Sequence, residues 1–266
     1  MVTEMTKYDF ILMSGDADAF LEKLQAVGVM DITRSRKPID ERSEKLSSRA
    51  GVLRKALSLL KEVTPAEFAE KSAEDYASDV IETVSEREAM QAQIPVLQKE
   101  AEELRPWGRF DKASFERLKE RGLKLHFYKA KAIDPTWKEQ YALSEIANDG
   151  ANNYFVVVSD SEDYDFPLKE IPAPVRDYAA VEKEIAEVEG QIETKTAHLA
   201  ELKCREAEIR KELDKSLSKL DLHLARVAGE KAAEDYITVF EGFAPSETEP
   251  ALHDMLEKEQ VFYLTD

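Results

Sequence analysis

The chain has 266 residues and a formal net charge of −18, from 37 Lys+Arg against 55 Asp+Glu. Charged residues make up 35% of it, well above the roughly 25% of an ordinary globular domain, and such an excess belongs to long solvated helices. The acidic balance argues against nucleic acid as a partner, and the single cysteine, Cys204, excludes an internal disulfide framework and fits a reducing compartment.

Met1–Phe10 lacks the basic start and apolar stretch of a secretory signal. Tyr8–Met13 alternates as a strand. Asp16–Val27 reads as a helix with Phe20, Leu21 and Leu24 inward, and Val29–Thr33 as a second strand. From Asp40 to Leu104 an apolar seam runs through Leu46, Leu53, Leu57, Leu60, Val80, Val84, Ile94, Leu97, Ala101 and Leu104. Thr64-Pro65-Ala66-Glu67 inside it is a fresh helix start with a capping box, and Pro95 predicts a kink or bulge.

The seam gives way to a globular insert between Pro106 and Pro174. A short helix is expected from Asp111 to Arg121, stopped by Gly122, and a strand over 123–128. A second helix starts at Asp134-Pro135 and is expected to reach about Asn148, with Trp137, Tyr141 and Ile146 on its inner face. Asp149-Gly150-Ala151-Asn152-Asn153 is turn chemistry, followed by the strand Tyr154–Ser159. That strand also holds the longest unbroken apolar run, Tyr154–Val158, far below the roughly 20 residues of a spanning helix.

Between Tyr178 and Gly229 the most regular seam appears: Val181, Ile185, Val188, Ile192, Leu199, Leu202, Ile209 and Leu213, broken only at Lys195 and Glu206. It continues at Leu217, Leu220, Leu224 and Val227. One helix of about 50 residues, roughly 75 Å long, is expected here, its stripe paired with the upstream seam as the core of a hairpin, with a third helix as the alternative partner for some of it. Tyr236–Phe243 and Val261–Leu264 then read as strands flanking a helix that Ser246-Glu247-Thr248-Glu249 would cap. The predicted fold is α+β: an elongated dumbbell of two small α/β lobes joined by a long antiparallel coiled-coil hairpin. Residues 1–36 and 234–266 form a ferredoxin-like βαβ-βαβ end lobe from both termini, 37–105 and 175–233 the hairpin, and 106–174 the tip lobe.

Catalytic signals are missing from the pattern. None of the nine glycines opens a phosphate-binding loop, and His126, His198, His223 and His253 show no metal-ligand spacing. His223 reads as a flank position beside Leu224, and Cys204 as an inert helical thiol. Asp160, Glu162, Asp163 and Asp165 read as a solvated acidic loop. No catalytic, cofactor-binding or metal residue is assigned, and an enzyme is the reading least favoured. The insert is rich in aromatics, Trp107, Phe110, Phe115, Phe127, Tyr128, Trp137 and Tyr141, which chiefly fill a small core. Trp107, Tyr128, Trp137, Tyr141 and Phe243 are the candidate anchors for a protein partner.

Met5-Thr6-Lys7-Tyr8-Asp9-Phe10-Ile11, a helix, and then Val27-Gly28-Val29-Met30-Asp31-Ile32 resemble the start of V-type/A-type ATPase subunit I, the eukaryotic subunit a. The second element matches the family's L-G-V-V-H-I, with Asp31 where His often stands. Glu241-Gly242-Phe243-Ala244-Pro245 resembles its G-W-V-P element, with Phe243 for Trp and Ala244 for Val. The resemblance extends over the whole chain. It implies a non-catalytic stator domain on the cytoplasmic face of a membrane complex, soluble as this fragment and without cofactors. Its implied partners are peripheral-stalk E/G-type coiled coils, other stator and rotor-housing subunits, and the subunit's own membrane half, expected beyond Asp266. Ion translocation, of protons or sodium, would belong to that half. From the residues alone, a self-assembling coiled-coil scaffold and a ferredoxin-like regulatory module stay open as alternatives.

Overall fold

A computed structural model of the chain describes residues 3–67, 75–108, 112–160 and 164–266. The first elements are β1 (Met5–Met13), α1 (Ala17–Val27), β2 (Asp31–Ile32), α2 (Glu41–Leu59) and α3 (Tyr76–Leu104). Next come α4 (Lys112–Glu120), β3 (Lys124–Ala130), α5 (Pro135–Gln140), β4 (Ala142–Asn148) and β5 (Asn153–Ser159). The last are α6 (Tyr178–Lys203), α7 (Glu206–Ala228), β6 (Glu230–Ala232), β7 (Ile237–Pro245), α8 (Glu249–Lys258) and β8 (Phe262–Thr265). The fold is α+β and has two compact units, Met1–Ile81 with Ala200–Asp266, and Glu82–Leu199.

In the first unit both chain ends enter one antiparallel sheet of order β2-β7-β1-β8, with β6 also on β7. That order is the ferredoxin-like βαβ-βαβ arrangement. Alternation decides its faces: Tyr8, Phe10 and Leu12 of β1 are buried with Phe240 and Ala244 of β7. Phe20, Leu21 and Leu24 of α1 and Leu252 and Leu256 of α8 close over them. Gly28 ends α1 in the left-handed region at φ +72°, and its N–H bonds the Leu24 carbonyl. At Gly242 the outer strand comes so close that a Cβ would sit 2.8 Å from Met30 Sδ and 3.1 Å from the Asp31 carbonyl oxygen.

The same unit contains a helix pair. His223 meets Asp40, Arg49 meets Glu212, and Lys203 reaches the Leu60 carbonyl, so α2 and α7 run antiparallel within one chain. Ala50, Leu53, Ala56 and Leu60 are buried from the α2 side, Ile209 and Leu224 from α7. Asp40 caps α2 by accepting from Ser43 N–H at 2.7 Å, and Ser43 Oγ accepts in return from Asp40 N–H at 3.0 Å.

Two expectations about these helices fail. The return arm is not one continuous helix: it breaks at Cys204-Arg205, between α6 and α7. The Ala66 N–H takes the Ala200 carbonyl at 2.9 Å, so Cys204 and Arg205 bond back only three residues, to Glu201 and Leu202. Nor does Thr64-Pro65-Ala66-Glu67 open a helix over its own residues. The next described helix begins at Tyr76, where Asp75 Oδ1 accepts from the N–H groups of Ala77 and Ser78, both at 3.2 Å. Helix α3 then continues through Pro95.

In the second unit α3 and α6 form another antiparallel pair. Glu86 meets Lys195, Gln93 meets Glu184, and Glu100 takes Arg176 through two bonds of 2.7 Å. Leu97, Ala101 and Leu104 pack there with Val181 and Val188. The rest is a three-stranded antiparallel sheet, β3-β5-β4. The helix expected from Pro135 to about Asn148 is corrected: α5 stops at Gln140 and 142–148 is strand β4. The cause is the turn. Asp149 accepts from Ala151 and Asn152 N–H at 2.9 and 2.6 Å, folding β4 back onto β5 as a hairpin. Ile146 therefore lies at a bulge, 45% exposed, and not on an inner helix face. The helix start expected at Asp111 lies outside the described residues; α4 runs to Glu120, just before Gly122.

Candidate partner-binding surfaces

Strand β5 explains where the aromatic residues go. It is central, so both of its faces need cover, and its run Tyr154–Val158 is apolar throughout. On one face Trp107 meets Phe127 and Tyr154 edge-on, at ring separations of 5.3 and 5.5 Å, and Phe115 stacks on Phe127. On the other, Tyr128, Phe155 and Phe166 form a core to which Trp137, Tyr141 and Tyr164 add half-buried rings. Tyr141 and Trp137 both meet Phe166 edge-on, at 4.9 and 5.2 Å.

Of the five sequence-derived anchors, Tyr128 is 2% exposed and has no ring surface to offer. Trp137 and Tyr141 are half-buried around that core, and Trp107 is half-buried on the opposite face of the sheet. Phe110 lies outside the described residues. Phe243 stands in the first unit, on β7, 37% exposed and paired in register with Lys7 on one side and Asp31 on the other.

Phe243 belongs to the sheet face turned away from α1 and α8. By register, Met13, Ile11, Phe262 and Leu264 share that face with Ile237 and Val239. Met13, Phe262 and Leu264 are each more than half exposed. Lys7 bonds Glu241 at 2.8 Å and lies 3.6 Å from Asp9, so one cation serves two carboxylates and the trio keeps a net charge of −1. The Lys7 bond holds the Glu241 carboxyl below the usual range, and Thr33 adds to it. A largely apolar face whose few charged groups are paired at its edge is suited to covering by another protein.

Two side-chain clusters escaped the sequence reading. His223, expected as a flank position, is 9% exposed and shares the Asp40 carboxylate through contacts of 2.8 and 3.0 Å. Asp40 titrates near 2, lowered first by the Ser43 N–H, then by the Ser43 hydroxyl and by His223. The second cluster lies in the other unit, where His126 Nε2 is 2.9 Å from Ser159 Oγ and its Nδ1 is 3.1 Å from Glu170. This is the connectivity of an acyl-transfer triad. However, Ser159 is 8% exposed and the Tyr164 ring stacks on the imidazole at 4.1 Å, which leaves little of the serine for a substrate to reach. Nothing in the residue order foretold either cluster, because their members lie 33 to 183 positions apart.

Among the described residues no group of His, Cys, Asp and Glu is arranged to hold a metal ion, and no helix is long and apolar enough to cross a membrane. Glu162 and Asp163 of the acidic loop fall outside the described residues. Cys204 is exposed, with its thiol donating to the Ala66 carbonyl at 3.2 Å.

Comparison with known proteins gives no matching family model and no matching curated relative. Among solved structures the chain is similar to one described as the cytoplasmic N-terminal domain of subunit I, homolog of subunit a, of V-ATPase. The identity is 15%, the match covers 99% of this chain and 100% of that one, and the TM-score is 0.34.

Proposed function

We propose that the chain is a non-catalytic stator domain of a rotary V-type or A-type ion-translocating ATPase. In this reading it ties peripheral stalks to the membrane sector and resists rotor torque from the cytoplasmic face. The observation that carries it is the sheet of the first unit. The three segments with the family resemblance, Met5–Ile11, Val27–Ile32 and Glu241–Pro245, are hydrogen-bonded neighbours there. Asp31 pairs with Phe243, Ile32 with Gly242, and Met30 lies against Gly242. Residues 1–36 with 234–266 are then an end lobe, 37–105 with 175–233 an antiparallel coiled-coil hairpin, and 106–174 a tip lobe, the whole an elongated dumbbell.

Such a domain would act mechanically. A braced helix pair transmits load along its length, and a docking lobe at each end couples distant points without chemistry. Its partners are E/G-type stalk subunits, other stator and rotor-housing subunits, and the membrane half of the same subunit. The stalk ends dock on the half-buried Trp107, Trp137 and Tyr141 of the tip lobe and on the Phe243–Leu264 face of the end lobe. The acidic surface favours basic patches on those partners. Titrating the chain with an E/G heterodimer is expected to show binding that weakens as salt rises. No binding at either low or physiological ionic strength would end this reading.

A further inference from the structure

A second surface of the first unit, which meets the proposed stalk-docking face at Phe243, does not depend on the ATPase reading. It is a groove along the α2–α7 pair. Ser47, Ala50 and Arg54 line it from α2, and Leu217, Leu220 and Leu224 from α7, each set at helical spacing of three and four. Leu217 and Leu220 are only half-buried, although they continue the most regular apolar stripe in the sequence. Phe243 and the segment after β2, with Arg34 and Arg36, close one end. Two antiparallel helices that leave a leucine stripe half-covered between them offer the seat of a third helix.

Charge selects the occupant. The groove's two aspartates, Asp31 and Asp221, are both bound by Arg34, at 2.5 and 2.9 Å. Arg36 and Arg54 are exposed on the rim with no acidic partner among the described residues. Two uncompensated arginines beside an apolar floor are unusual on a chain of net charge −18. They repel a basic helix, gain no ionic partner from a neutral-rimmed one and attract an acidic one, and Arg is the cation best suited to bidentate carboxylate recognition. The geometry points to this groove as the docking site for an amphipathic helix of a partner protein, leucine-rich on one face and flanked by glutamate or aspartate. Its leucines extend the Leu217–Leu220–Leu224 stripe, and its acids meet Arg36 and Arg54.

The test uses the full chain and two labelled synthetic helices of about 18 residues, five turns. Both carry the same leucine stripe, flanked by glutamate in one and lysine in the other. Fluorescence anisotropy is read at low and physiological ionic strength. The glutamate helix is expected to bind, more tightly at low salt, and the lysine helix not to. Arg36→Glu with Arg54→Glu is expected to weaken binding about tenfold or more. Arg42→Glu, exposed on α2 away from this groove, leaves it unchanged. These substitutions are at exposed positions, and circular dichroism of each variant verifies its fold. Equal binding of both helices, no binding of the glutamate helix, or indifference to the double reversal overturns the assignment. So does Arg36- and Arg54-dependent binding to anionic phosphatidylserine vesicles in place of the helix, or a dimer of the free chain that the reversal dissolves.

Discussion

Asp40 shows how much one side chain organises. It caps α2, accepts from the Ser43 hydroxyl, and takes His223 from α7, which joins a helix start to the helix packed beside it. Asp75 does the same for α3. Arg49 grips it through bonds of 2.7 and 3.0 Å while also holding Glu212 of α7, and that grip, more than Ser78, lowers the Asp75 carboxyl to about 2. Both carboxyls sit below the roughly 3.9 of an unfolded aspartate. Their contribution is therefore complete above about pH 4 and lost as pH falls toward 2. In acid titrations followed by far-ultraviolet circular dichroism, Asp40→Asn and Asp75→Asn should each flatten the unfolding transition in that window. At neutral pH Asp40→Ala should lower the melting temperature more than Asp40→Asn, whose amide oxygen still accepts from Ser43 N–H. An unaltered acid limb in both Asn variants would remove these carboxylates as its origin.

Individual elements were legible to different degrees. Strand β1 announces itself by alternation, since Tyr8, Phe10 and Leu12 must share a face. The leucine seams announce helices, and the partners they find lie in the same chain. Residues 142–148 did not announce a strand. Their local pattern tolerates a helix, and the deciding influence is an open edge of β5 reached through the Asp149 hairpin. The break at Cys204 is similar, because it depends on a backbone bond from Ala66, 134 positions from Ala200. Where β2 meets β7 the closeness is tightest, and Gly242→Ala should cost about 1–3 kcal/mol in urea denaturation, as the Asp31 carbonyl cannot move aside like a side chain. A stability within error of the parent would mean that β2 has room to shift.

At the scale of the molecule, the long chain between β1 and β7 leaves and returns, yet those strands pair over nine residues, Met5 with Pro245 through Met13 with Ile237. Strand β8 pairs with β1, so the first thirteen residues hold the last strand in place. Deleting residues 1–13 should strip Tyr8, Phe10 and Leu12 from the core and leave β8 without that partner. The expected result is dye-binding exposed apolar surface and loss of cooperative unfolding in this sheet. A truncated chain with unchanged near-ultraviolet dichroism would show that the C-terminal half of the sheet folds alone. Long-range closure of this kind is slow to form, because loop entropy is lost before the strand contacts appear.

What residue order alone determined here is periodic: the apolar seams of the long helices, the alternation of strands such as β1, and that acidic, glycine-poor helices flank a small aromatic-rich insert. Period is a local property, carried by neighbours three, four or two positions apart, so one sequence suffices to read it. The tertiary structure decided what depends on distant residues. It turned 142–148 into a strand, broke the return helix at Cys204, buried Tyr128 while leaving Phe243 partly open, and brought Asp40 to His223. It also left Arg36 and Arg54 together beside a half-covered leucine stripe. Each of these turns on which polar groups and apolar faces are already satisfied by a partner far along the chain, and that assignment exists only once the chain has folded.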